Sequence, residues 1–200
     1  MATYQTISEA FQASAVTING SRFIADIFPV SSAEHALTEV DAVRTTFPDA
    51  SHHCWAYRLR DQGQTRSSDD GEPGGSAGRP ILAQIEGHGL FDVVVIITRY
   101  FGGTKLGVGG LIRAYGGTAG KALDRVERRD VRETEALDIE FAYDLTKAVE
   151  TVLRAHQLIP TQTDFEVSVR MRLDVPCESL SGLRDALIHQ TAGKIYFPKA

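Results

Sequence analysis

The chain has 200 residues, a net charge of −5 and 42% hydrophobic residues, proportions that suit one large or two small globular domains with cores of their own. No apolar run approaches the roughly 18–20 residues needed to cross a bilayer, and the opening MATYQTISEAFQAS has neither the basic nor the apolar region of a secretory signal. Cys54 and Cys177 lie far apart in the chain and make no disulfide framework, so a reduced, cytoplasmic protein with no membrane segment is expected.

In chain order, Phe11–Ile18 and Ser21–Val30 are predicted as strands joined at Asn19-Gly20. Asn-Gly favours the positive φ that a two-residue hairpin turn requires at both positions. Ser31 or Ser32 is positioned to cap a helix running to about Phe47, with Ala33, Ala36, Leu37, Val40 and Val43 as its apolar stripe. Pro48 ends it. Ser51–Leu59 is predicted as a strand and Asp61–Gly78 as a long polar, glycine-rich loop. A loop of that length in a compact domain is usually functional or mobile. A short helix over Arg79–Gly87 carries Pro80 in its first turn, and the apolar run in Asp92–Tyr100 predicts a strand buried on both faces. Gly110–Arg128 is expected as the longest helix, followed by a charged junction over Arg125–Arg132.

After Glu133 the pattern restarts. Strand Leu137–Tyr143, helix Leu145–Gln157, strand material in Thr161–Phe165 and Glu166–Leu173, helix Cys177–Gln190 and a short strand Lys194–Phe197 give the order β-α-β-β-α-β. This is the order of a ferredoxin-like split βαβ unit. The fold class is therefore α+β, with a first domain over residues 1–132 and a second over 133–200.

The most informative segment is Thr98–Thr118, TRYFGGTKLGVGGLIRAYGGT. A buried strand leads into a turn carrying Gly102, Gly103, Gly107, Gly109 and Gly110, among which Arg99, Lys105 and Arg113 are spaced. A helix follows. Glycines let backbone N–H groups approach a ligand, and a helix start offers unpaired donors and partial positive charge. Within 99–132 there are eight basic and three acidic residues, a local stripe on an otherwise acidic chain. That pattern suits a directed anionic contact rather than indiscriminate nucleic-acid coating. Arg99, Tyr100, Lys105, Gly107, Gly109, Gly110 and Arg113 are the candidate anion- or RNA-binding residues. Asp69, Asp70, Glu72 and Ser76 belong to a loop expected to face them.

No catalytic constellation is legible. G-x-S-x-G, H-E-x-x-H, the Walker pattern and the dinucleotide pattern are all absent, and the adjacent His52 and His53 do not have the spacing of a metal site. No metal and no cofactor are expected, although Asp69, Asp70 and Glu72 have the chemistry to hold Mg²⁺ beside a phosphate. Trp55 reads as core or as an aromatic platform.

Five motifs carry a resemblance: WAYRL at 55–59, DDGEP at 69–73, SAGRPIL at 76–82, TRYFGG at 98–103 and KLGVGGLIRAYGG at 105–117. Together they resemble the YigZ/IMPACT family. Gly74 stands where that family commonly has serine, and Ser76 where it commonly has threonine. The resemblance implies a first domain like domain 2 of ribosomal protein S5 and a ferredoxin-like second domain, an order similar to the fourth and fifth domains of elongation factor G. It implies translation-related, non-enzymatic regulation through binding to RNA or the ribosome, and it brings no catalytic residues. The alternative from the residues themselves is an enzyme or sensor for a phosphorylated small molecule or nucleotide, using the glycine-rich turn and the acidic loop. Oligomeric state is not legible.

Overall fold

The computed structural model describes residues 3–198 and divides into two compact units. One spans Tyr4–Val131; the other takes Thr3 and the described residues from Arg132 onward. Helices and strands are mixed in each.

In the first unit, β1 (Thr3–Ile7) precedes the hairpin of β2 (Phe11–Ile18) and β3 (Ser21–Pro29). Asn19 and Gly20 take φ of 46° and 83°, as the paired positive-φ turn requires. Helix α1 (Ala33–Thr46) is capped by Ser32, whose hydroxyl accepts the His35 N–H at 3.1 Å. The chain continues through β4 (His52–Arg58), β5 (Thr65–Ser68), α2 (Gly78–Gly87), β6 (Val93–Tyr100), α3 (Gly107–Leu123) and β7 (Arg128–Arg132). The main sheet has the order β2-β3-β6-β4-β5, with antiparallel pairing throughout.

Strand β6 is central, which explains its unbroken apolar run. Val93, Val95 and Ile97 join Phe23, Ile27, Ile81, Ile85 and Tyr115 in the core beneath α2 and α3. Val94 and Ile96 point the other way, into the core under α1 with Val40, Val43, Trp55 and Tyr57. Period-two alternation thus feeds two cores from one strand. Arg99 continues the 93-95-97 series, so the pleat delivers its side chain to the α3 side of the sheet.

The second unit runs β8 (Thr134–Phe141), α4 (Thr146–Ala155), β9 (Gln162–Phe165), β10 (Val169–Pro176) and α5 (Leu180–Gln190). Its sheet has the order β8-β10-β9, antiparallel, with Tyr196 bridging Glu140 on the outer side of β8. Leu137, Ile139, Phe141, Met171 and Leu173 pack with Val149, Leu153, Leu183 and Leu187 of the two helices. The opposite face is charged. Arg172 makes two 2.7 Å bonds to Asp138, and Arg170 reaches Glu140 at 3.1 Å.

Several elements differ from the sequence expectation. Helix α3 starts at Gly107 rather than Gly110 and ends at Leu123 rather than near Arg128. The charged junction contains β7, which pairs with β1 in a two-stranded sheet. The polar loop contains a 3-10 turn, Asp61–Gly63, and the edge strand β5. Cys177–Ser179 forms a 3-10 turn ahead of α5, and the last expected strand reduces to the Tyr196 bridge. Among the described residues, no helix is long and apolar enough to cross a membrane.

Candidate functional site

The end of β6, the first turn of α3 and the loop before α2 meet at a cleft of about 230 Å³. Glu72 and Arg99 lie on its inner wall, Lys105 at its rim, and Phe101, Leu106 and Leu111 line its apolar side. Sequence proximity explains only part of this meeting, since Glu72 and Arg99 are 27 positions apart. Strand pairing of β4 with β5 and with β6 brings the two segments to the same end of the sheet.

Glu72 and Arg99 are both buried, with side chains 4% and 5% exposed, and their atoms Oε1 and Nη1 are 2.5 Å apart. Oε1 also accepts the Tyr115 hydroxyl at 2.7 Å, and His52 Nε2 lies 3.8 Å from it. His52 is oriented by its Nδ1, which donates to the Asp70 carbonyl at 2.8 Å. The second terminal nitrogen of Arg99 donates to Ser21 Oγ at 3.2 Å, and the same Oγ accepts the Gly102 N–H at 3.1 Å. Arg99 Nε is buried without a hydrogen-bond partner among the described residues. A buried ion pair is kept only when its remaining polar positions are well served, and here Tyr115 and Ser21 serve most of them.

The glycines at this end have distinct roles. A β-carbon at Gly102 would lie 1.9 Å from the carbonyl carbon of Gly20, so the hairpin turn and the segment after β6 touch backbone to backbone. Gly107 opens α3 at φ +69°. Gly109 faces open space apart from the Arg113 guanidinium, 3.7 Å from where its β-carbon would sit, whereas a β-carbon at Gly110 would approach Leu106 Cβ to 3.1 Å. No side chain caps the α3 N-terminus. Its first-turn amides therefore retain the unpaired donors and partial positive charge of a helix start. Lys105 and Arg113 are exposed.

Of the expected acidic loop, Glu72 alone faces a site cation. Asp69 turns toward α2: its Oδ1 accepts the Ala77 and Gly78 amides at 2.9 Å, and its Oδ2 accepts that of Gly75 at 2.7 Å. Burial works against its charge, but these three donors hold its carboxyl below the usual carboxylate range. Asp70 is fixed between Arg44 at 2.7 Å and the His53 amide at 2.6 Å. Ser76 is fully buried and its Oγ has no partner among the described residues, while its amide donates to the Pro73 carbonyl. Tyr100 lies on the other side of the strand end, with its hydroxyl on Asp49 at 3.0 Å and Arg22 over its ring. Trp55 is 5% exposed, too buried to serve as a platform.

Sequence reading left Tyr115 and Ser21 out of the site. Tyr115 belongs to the apolar stripe of α3, and its signal was that a buried tyrosine hydroxyl needs a polar partner. Burial, together with the neighbouring Glu72, raises its pKa above the ordinary tyrosine range. Burial also pushes the Cys54 thiol up, so neither group is prepared as a nucleophile.

A family model described as the Impact N-terminal domain matches residues 19–123, and one described as a domain of unknown function, DUF1949, matches 139–194. The "IMPACT family member in pol 5′region" of Thermus thermophilus is 39% identical over 180 residues, covering 90% of this chain and 98% of that protein. The "IMPACT family member YigZ" of Escherichia coli is 32% identical over 181 residues, 89% of each chain. A crystal structure of a hypothetical protein matches with a TM-score of 0.78 at 29% identity, covering 100% of this chain and 98% of the other. Every residue of the cleft falls inside the first matched segment.

Proposed function

The chain belongs to the IMPACT family, and from that premise we propose that it is a non-enzymatic, translation-related regulatory protein that binds RNA or a ribosomal surface. The observation that carries this reading is the uncapped α3 N-terminus, with Lys105 lining the cleft beside it and the Arg113 guanidinium lying next to Gly109 of its first turn. These groups are exposed and free to meet phosphate oxygens, the contact that dominates nucleic-acid affinity. The buried Glu72–Arg99–Tyr115 cluster stiffens the wall behind them. The cytoplasm is the compartment this role requires.

The same reading assigns residues 1–132 a fold like domain 2 of ribosomal protein S5 and residues 133–200 a ferredoxin-like fold. The compact units meeting at Val131 and Arg132 support the division. The β-α-β-β-α order, with Tyr196 beside β8, supports the second assignment.

The phosphorylated small molecule is the competing ligand for this rim, but Mg²⁺ chemistry from the acidic loop draws little support. The oxygens of Asp69 and Asp70 are already engaged by backbone amides and Arg44. Titration of labelled RNA, and separately of nucleotides with and without Mg²⁺, against wild type and Lys105→Ala/Arg113→Ala separates the two. RNA binding that weakens in the double variant supports the proposal. Saturable, Mg²⁺-dependent nucleotide binding without RNA binding overturns it.

A further inference from the structure

Resting on the RNA reading, we infer that the cleft takes one unpaired nucleotide of a single strand, holding its phosphate at the α3 N-terminus and stacking its base on Phe101.

Three independent observations lead there. The first is electrostatic. An uncapped helix start and Lys105 sit at one rim, and Arg99, which lines the same cleft, has in its Nε a buried donor lacking an acceptor among the described residues. The other two guanidinium nitrogens are committed to Glu72 and Ser21. A phosphate oxygen supplies the acceptor that the protein does not.

The second is the distribution of apolar surface. Phe101 is 49% exposed and Val108 53%, and both line the cleft with Lys105, on the segment after β6 and in the first turn of α3. A duplex backbone presents phosphates and sugars to such a surface and leaves these side chains without a partner. An unstacked base presents an apolar face, which aromatic side chains accept regardless of sequence. The Arg99 guanidinium carbon lies 5.5 Å from the Phe101 ring centre, so this ring is already polarised on one side.

The third is size and alternatives. A cleft of about 230 Å³ admits part of one nucleotide and excludes a paired helix. Of the other aromatics near this end, Tyr100 is engaged by Arg22 and Asp49, and Trp55 is buried. Phe101 is the ring with a free face beside the phosphate-binding rim.

The test uses the full chain with four fluorescent probes: a single-stranded oligoribonucleotide, the same strand annealed to its complement, the single strand with abasic sites, and a mononucleotide. Wild type is expected to bind the single strand at least tenfold tighter than the duplex or the abasic strand. Phe101→Ala lowers single-strand affinity by about tenfold or more and leaves duplex affinity unchanged, and Phe101→Tyr restores it. Lys105→Ala weakens single strand and duplex alike. Equal affinity for single strand and duplex, or no effect of Phe101→Ala, overturns this inference while leaving RNA binding standing. If folded wild type binds none of the RNA probes, the RNA reading itself falls. If it binds the mononucleotide alone, the phosphorylated small molecule takes its place.

Discussion

Asp69 organises the loop behind the cleft, and its removal has a calculable effect. Its carboxylate accepts three amide hydrogens, from Gly75, Ala77 and Gly78, and the last two belong to the start of α2, which has no cap of its own. Hydrogen bonds to a charged acceptor contribute about 1.5–3 kcal/mol each, and loss of a helix cap costs about 0.5–2 kcal/mol. Asp69 is half-buried, so water replaces part of what is lost. The expected destabilisation of Asp69→Ala is about 3 kcal/mol. Asp69→Asn keeps an oxygen for Ala77 and Gly78 but turns an NH₂ group toward the Gly75 amide, and is expected to cost about 1–2 kcal/mol.

Trp55 is the chain's single tryptophan and is buried in this unit, so its fluorescence in a urea titration reads this unit alone. The pH dependence has a fixed sign. The folded carboxyl lies below its ordinary value, so its stabilisation is fully present above the unfolded pKa of about 3.9 and is lost as pH falls through the folded value. The gap between wild type and Asp69→Asn therefore narrows below about pH 4. An Asp69→Ala midpoint corresponding to less than about 0.5 kcal/mol would refute the reasoning.

Arg99→Ala leaves Glu72 buried and uncompensated, and by the same titration is expected to destabilise the unit by about 3–5 kcal/mol. Gly102→Ala drives a methyl group into the Gly20 backbone and is expected to cost more than about 3 kcal/mol. Gly109→Ala meets only the Arg113 guanidinium, at an ordinary contact distance of 3.7 Å, and is expected to leave thermal stability unchanged or raised, by up to about 1 kcal/mol from helix propensity. Cys54 is fully buried, with its thiol pushed up, and Cys177 is exposed. A colorimetric thiol reagent near pH 8 is therefore expected to modify one thiol per native chain quickly and the second only on unfolding.

Local signals reached the elements that local chemistry builds. The Asn19-Gly20 hairpin, the Ser32 cap and the doubly buried run at Val93–Ile97 each follow from a few adjacent residues. Strands β1, β5 and β7 do not. TYQTI, TRSS and RRDVR have little apolar alternation and become strands because a partner elsewhere in the chain, or an adjacent sheet edge, supplies the hydrogen bonds. Composition drew attention to the glycine turn and its cations, yet it could not distinguish three carboxylates in four positions. Backbone geometry separates them: Asp69 faces three amides, Asp70 faces Arg44, and Glu72 faces Arg99. Tyr115 escaped because its spacing is that of a core residue, and it is one, with a hydroxyl that ends on Glu72.

The central claim is that phosphate is held at the α3 N-terminus by Lys105 and Arg113. The most direct test is the salt dependence of RNA affinity for wild type and Lys105→Ala/Arg113→Ala, with both proteins confirmed folded by Trp55 fluorescence. The double variant is expected to bind at least tenfold more weakly, with a log–log salt slope shallower by about 0.7 for each single-strand phosphate it no longer neutralises. Equal affinity and equal slope for the two proteins would contradict the claim.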